Sequence, residues 1–190
     1  MHAKLSLLAG ALCLGACATP FGGDDGPEPI IANIADNREL SLPMPPGYPE
    51  TRNLTQIIRA NYGHMRGAFE ASIALAPERV DIVITAPAGP RLATIAWTET
   101  GVDVDRTLLA PVGLPVENIL GDIFLMNWPI EAVQAVAPAG CVAADTEGGG
   151  RTLSCDAAPI VEIGPDPEHP GRKILRNLDL GYELTITSME

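Results

Sequence analysis

The stretch ERVDIVITAPAGPRLATIAWTETGVDVD, Glu78–Asp105, decides the fold. Val80, Ile82 and Ile84 alternate with Asp81, Val83 and Thr85; Ala93, Ile95 and Trp97 alternate with Thr94, Ala96 and Thr98; Val102 and Val104 alternate with Asp103 and Asp105. A period of two belongs to an extended chain with one face turned inward. The links, Ala86-Pro87-Ala88-Gly89-Pro90 and Glu99-Thr100-Gly101, are too short for a parallel crossover, so successive strands pair antiparallel. The pattern extends back through Phe69, Ala71, Ile73 and Leu75, with Glu70 and Ser72 opposite, to a short strand at Leu54–Ala60. It returns at Ile160–Ile163, Lys173–Arg176 and Tyr182–Ile186. One apolar and one mixed face predict a mainly β protein whose antiparallel sheet curls around something.

That something is supplied by Leu114–Trp128, where the period changes. Val116, Ile119, Leu120, Ile123 and Phe124 fall at i, i+3, i+4, i+7 and i+8, one face of a helix. Pro115 suits its first turn and Glu117 its dipole. Asn127-Trp128-Pro129 interrupts it, and Pro129–Ala135 starts a second short helix. An apolar helix beside a curved apolar sheet leaves two readings open: a packed core, or a lipid-sized cavity with a helical lid. In the second reading the ligand-lining residues are Ile73, Ile82, Ile84, Ile95, Trp97, Ile119, Leu120, Ile123, Phe124 and Trp128. Affinity would come from buried area, about 0.8 kcal/mol per methylene, with few polar contacts.

The chain has 190 residues and a formal charge of −12, with 24 acidic and 12 basic side chains. Such a balance excludes a nucleic-acid partner, whose phosphates need a basic footprint, and adsorption to anionic lipid through basic side chains. The N-terminus offers another route to a membrane. Met1–Pro20 reads MHAKLSLLAGALCLGACATP: Lys4, then the apolar run Leu5–Ala16, too short to span a bilayer and fitting a secretory signal. Leu14-Gly15-Ala16-Cys17 resembles the lipobox of bacterial lipoproteins, which implies cleavage before Cys17 and lipidation of that Cys, the new N-terminus, with two or three palmitate-like chains. Two or more such chains make a stable anchor. Ala18, where an Asp would favour inner-membrane retention, implies the periplasmic face of the outer membrane. The expected organisation is a signal peptide over 1–16, a lipidated N-terminus and Pro/Gly/acid-rich tether over 17–50, and a folded domain over 51–190. Within the tether, Ile30–Ile34 or Leu40–Leu42 is apolar enough to pack as an edge segment, and Pro43–Pro49 reads as a stiff spacer.

An exported chain permits disulfides. Cys141 and Cys155 flank VAADTEGGGRTLS, and a hairpin centred on Gly148 sets the two opposite each other, so a disulfide is expected, worth about 3 kcal/mol in the chain-entropy account. Catalytic chemistry has little material. Beyond the signal the histidines are His64 and His169, and neither a phosphate loop nor a nucleophile elbow is present. Asp166, Glu168 and His169 stand among Pro165, Pro167 and Pro170, which reads as a rigid loop; no metal, cofactor or catalytic residue is expected. Asp103 and Asp105 read as a solvated strand face.

A resemblance adds a function. Glu78–Gly89, Leu92–Trp97 and Gly101–Val104 are similar to the early strands of LolB, the outer-membrane receptor for lipoproteins. Leu114-Pro115 followed by Ile119-Leu120-Gly121-Asp122-Ile123-Phe124-Leu125 and Trp128-Pro129 resembles an uncharacterised family of outer-membrane lipoproteins whose central helix contains Asp and ends in Trp-Pro, itself LolA/LolB-like. The resemblance covers about Thr51–Met189. It implies a half-barrel with a helical lid that binds or transfers an acyl-chain or aryl-polyene-like envelope lipid, with a periplasmic carrier or a lipoprotein as partner. Ala88 stands where LolB-type receptors carry a bulky apolar residue, which ranks a lipid carrier above a lipoprotein receptor. The remaining alternative is a non-catalytic envelope scaffold with a filled core.

Overall fold

A computed structural model describes residues 27–62, 65–87, 89–111 and 114–189. The signal peptide, Cys17, the first part of the expected tether, His64 and Ala88 lie outside the described residues. The elements in chain order are β1 (Ile30–Ala35), β2 (Arg38–Leu42), β3 (Arg52–Tyr62), β4 (Met65–Leu75), β5 (Val80–Thr85), β6 (Arg91–Thr98), β7 (Gly101–Arg106), α1 (Val116–Asn127), α2 (Ile130–Val136), β8 (Cys141–Thr146), β9 (Gly150–Cys155), β10 (Ala158–Pro165), β11 (Arg172–Asn177) and β12 (Tyr182–Met189). The alternating runs are therefore strands, and the stretch with helical period is a helix.

Strands β3 to β12 make one ten-stranded, wholly antiparallel sheet, ordered β7-β6-β5-β4-β3-β12-β11-β10-β9-β8, curved but not closed into a barrel. It consists of two five-stranded meanders joined where the first strand of one, β3, pairs with the last strand of the other, β12, from Tyr62↔Tyr182 to Thr55↔Met189. This topology explains the helices. After β7, at one edge, the chain must reach β8 at the other. Laid flat, the nine gaps between ten strands would span about 43 Å; α1 and α2 supply about 28 Å of helix toward that span and the extended segments on either side of them supply the rest. The helical link lies across the concave side. The apolar residues of β4, β5 and β6 face that side: Ile73 pairs Ile82, which pairs Ile95, and all three are buried.

The packed structure begins earlier than the composition implies. Residues 30–42, within the expected tether, form the β1–β2 hairpin as a separate two-stranded sheet. Ile30, Ala32, Ile34, Leu40 and Leu42 are buried in the main core. The apolar segments Ile30–Ile34 and Leu40–Leu42 thus pack, as a hairpin of their own rather than an edge of the large sheet. The Asn177 amide donates to the Ile34 carbonyl at 2.9 Å, the Asp36 amide donates to Asp179 at 2.6 Å, and Arg38 pairs with Asp156. The Pro-rich run after β2 is held too. The Trp97 indole donates to the Pro43 carbonyl at 3.0 Å, and the Trp128 indole to the Pro46 carbonyl at 2.8 Å.

The Cys hairpin forms in the anticipated register. Cys141 lies opposite Cys155, Thr146 opposite Gly150, and the two cysteines are disulfide-bonded. Gly148 and Gly149 both have φ of 82°, a left-handed conformation that costs glycine little and other residues more.

Candidate functional site

Helix α1 lies between the hairpin and the sheet, and each of its faces meets a different neighbour. Gly121 faces β1 so closely that a Cβ there would stand 2.7 Å from the Cβ of Ala32; only glycine permits this approach. Leu120 and Phe124, one turn apart, enter the interior. Phe124 meets Trp128 at a ring separation of 5.0 Å, Trp128 meets Trp97 at 5.5 Å, and Tyr48 sits edge-on to Trp128 at 5.0 Å.

Of the expected lining residues, Ile73, Ile82, Ile84, Ile95, Trp97, Leu120, Ile123, Phe124 and Trp128 are all buried in one cluster, and Ile119 is half-buried against it. The structure brings the whole set together. The space they surround is occupied by their own side chains and by Tyr48, with the Trp polar tips paired to backbone as buried indoles require.

Less tightly sealed is the seam between α1 and the middle of the sheet. Ile119, Asp122 and Met126 share a helix face at i, i+3 and i+7. Opposite lie residues of β3, β4 and β12. Leu54, Phe69 and Leu184 are half-buried there beside the buried Ile58 and Ile186, and Ile119 and Met126 are half-buried from the helix side. Near the C-terminal end of α1 the seam widens into a pocket of about 180 Å³ shared by Leu54, Met126 and Ile186.

Midway along the seam sits an acid. The Tyr182 hydroxyl donates to Asp122 Oδ1 at 2.8 Å, with both residues buried. Burial pushes the Asp122 carboxyl up to about 7, partly opposed by the Tyr182 hydrogen bond. Burial, and then the Asp122 charge, push the Tyr182 phenol up as well. Neither residue stood among the expected lining positions. The available signal was an ionisable residue on the apolar face of a helix, a position an acid seldom occupies without a partner.

With this geometry in view, residues 53–190 match the family described as Protein of unknown function (DUF3261). The chain belongs to this family. No curated protein matches it. The DUF3261 region starts at the second residue of β3 and so contains the large sheet except Arg52, and both helices, but leaves out the β1–β2 hairpin that packs against α1.

Two further residues in the DUF3261 region hold the helical link in place. Arg151 of β9 donates from Nη1 to the carbonyls of Leu125 at 2.8 Å and Trp128 at 2.7 Å, supplying the positive charge that the last turn of α1 lacks. Gln134 of α2 caps the sheet edge: its Oε1 accepts from the Ala143 amide at 2.8 Å and its Nε2 donates to the Cys141 carbonyl at 3.3 Å. The Asp166–His169 cluster closes on itself. Asp166 accepts the amides of Glu168 and His169 and pairs with the His169 ring at 3.0 Å, and these contacts, the Glu168 amide first, hold its carboxyl below the usual range. Among the described residues no group of three or more His, Cys, Asp or Glu is placed to hold a metal. Asp105 lies on the exposed edge strand and pairs with Arg91 at 2.8 Å.

Proposed function

We propose that this protein is a lipid-anchored, non-catalytic envelope protein, held through Cys17 on the periplasmic face of the outer membrane. It binds a hydrophobic ligand with an acyl-chain or aryl-polyene-like tail and hands it on. The observation that carries this reading is the seam: a helix lying over the concave face of an open sheet, with Ile119 and Met126 of the helix and Leu54, Phe69 and Leu184 of the sheet only half-buried. A chain that enters there replaces helix–sheet contacts with its own, at about 0.8 kcal/mol per methylene buried. Of the ten residues expected to line a ligand, Ile73, Ile82, Ile84, Ile95 and Trp97 are the sheet wall behind that seam, and Ile119, Leu120, Ile123, Phe124 and Trp128 belong to α1 and its C-cap, so displacing α1 opens the space between the two sets. The likeness to LolB-type receptors, a half-barrel with a helical lid, supports the same reading. A LolB-like receptor for lipoproteins is a narrower form of it.

One observation favours a second reading. The clustered rings of Trp97, Trp128, Phe124 and Tyr48 fill the interior, as suits a scaffold that docks a protein partner and carries no lipid. Native mass spectrometry of full-length protein extracted from its own membrane separates the two, combined with labelling by a fatty-acid photoprobe. The carrier reading expects a co-purifying lipid or a label on peptides containing Ile119 or Met126. Absence of both would leave the scaffold. In the same preparation Cys17→Ser should move the protein from the membrane to the soluble fraction; retention in the membrane would remove the anchor from the proposal.

A further inference from the structure

We propose that the pocket at the C-terminal end of α1 is an oxyanion site, which takes the carboxylate or phosphate monoester head group of an amphiphile. The idea rests on the acyl-ligand reading for the tail alone; the head-group site follows from the pocket. Its mouth carries Arg52 of β3 and Lys173 of β11, and no Asp or Glu lines it. That is a reversal of the chain as a whole, in which acids outnumber bases 24 to 12. Among the described residues, neither Arg52 nor Lys173 takes part in an ion pair, a state they share with Arg59, Arg66, Arg106 and Arg172, and of these six only Arg52 and Lys173 line the pocket.

The second observation is Gln56. It projects from the same face of β3 as Arg52 and Leu54, lines the pocket and is only 6% exposed, yet its Oε1 is buried with no hydrogen-bond partner. A buried amide left unsatisfied is destabilising where an apolar residue of equal length would not be. As an acceptor that Oε1 would repel an oxyanion, so binding requires the amide to turn over by half a turn about its last bond, which presents its Nε2–H donors in place of Oε1 for the oxyanion to accept from. Together with the Ser188 hydroxyl, Arg52, Lys173 and Gln56 present hydrogen-bond donors to one small volume. Asn127, also at the pocket, keeps its amide nitrogen on the Ile123 carbonyl at 2.8 Å.

Size and lining set the ligand class. About 180 Å³ is on the order of six water volumes, below the range of pockets that enclose whole drug-sized ligands. It holds a head group and a few methylenes against Leu54, Met126 and Ile186, and the rest of a tail continues along the seam. The cations are solvent-exposed, so affinity should fall as salt rises.

The test uses the full-length protein in phosphatidylcholine nanodiscs and titration calorimetry with hexyl phosphate, hexanoate, inorganic phosphate and hexanol. Hexyl phosphate and hexanoate are expected to bind one per chain, and hexanol at least about tenfold more weakly. Inorganic phosphate binding as tightly as hexyl phosphate would make the ligand a free anion and overturn the amphiphile assignment. The double variant Arg52→Gln/Lys173→Gln alters only exposed side chains and should weaken both anionic probes about tenfold or more; unchanged affinity overturns the site. Gln56→Met should weaken binding and raise the melting temperature together. A lower melting temperature with unchanged binding would make Gln56 a structural residue and count against the proposal. Photolabelling of α1 with no binding of either anionic probe would sink the head-group site and leave the acyl reading standing. Anion binding without labelling would do the reverse.

Discussion

Asp122 is ordinary in sequence and unusual in place. It follows Gly121 on a helix that is apolar on either side, and its carboxyl loses most of its water for one hydrogen bond from Tyr182. Its ordinary value of 3.8 rises to about 7 in the fold. The folded chain therefore keeps a proton that the unfolded chain releases, and stability falls as pH climbs from about 4 toward 7. Above that window the carboxylate is ionised in both states and the loss is complete. Asp122→Asn retains an acceptor for Tyr182 and removes the titration. Wild type should lose stability relative to the variant across that range, by roughly 4 kcal/mol at most, as read from melting temperatures between pH 4 and 8. A gap that stays constant with pH would show that Asp122 does not titrate in the fold. The sequence names this residue only as part of a helix motif. Its partner lies 60 positions away on β12, and no local pattern encodes such a pairing.

Among the elements, legibility tracks the range of the interactions. The period of two and the Gly148 turn are local, so the strands of β4 to β7 and the Cys141↔Cys155 register could be read in advance. The helix was visible in its period and its end in Asn127-Trp128-Pro129, but the group that completes its last turn was not. The last turn of α1 contains no basic residue, and the charge that completes it comes from Arg151 on β9. Arg151 reads as part of a turn, yet its side chain is 13% exposed and ties α1 to the far meander. Arg151→Met preserves the apolar stem and leaves the Leu125 and Trp128 carbonyls unpaired, which should cost about 2–4 kcal/mol. Its ion pair with the half-exposed Asp145 adds little to that sum. The urea midpoint measures the loss, and limited proteolysis should show faster cleavage around residues 125–129. Unchanged values for both would mean that the helix end is held by packing alone.

For the whole molecule, the decisive question is where the folded unit begins. Composition places the boundary near Thr51 because Pro, Gly and acid dominate before it, and the match to the DUF3261 family starts at residue 53. Composition averages over a segment and cannot register that its few apolar residues share one face. Alternation in β1 and β2 puts Ile30, Ala32, Ile34, Leu40 and Leu42 into the core, and Tyr48 follows against Trp128. At about 1.5–3 kcal/mol for each large side chain, their burial amounts to roughly 10 kcal/mol before entropy is counted. That equals the whole margin of a typical domain, about 5–15 kcal/mol. Removal of residues 27–52 would also expose the face of α1 built around Gly121 and leave both Trp indoles without acceptors. A chain trimmed to residues 53–190 should therefore fail to unfold cooperatively and should bind hydrophobic dye, whereas one beginning at residue 27 should melt in a single transition. If the shorter chain melts as sharply and at the same temperature, the hairpin is an ornament on the sheet and the core closes without it.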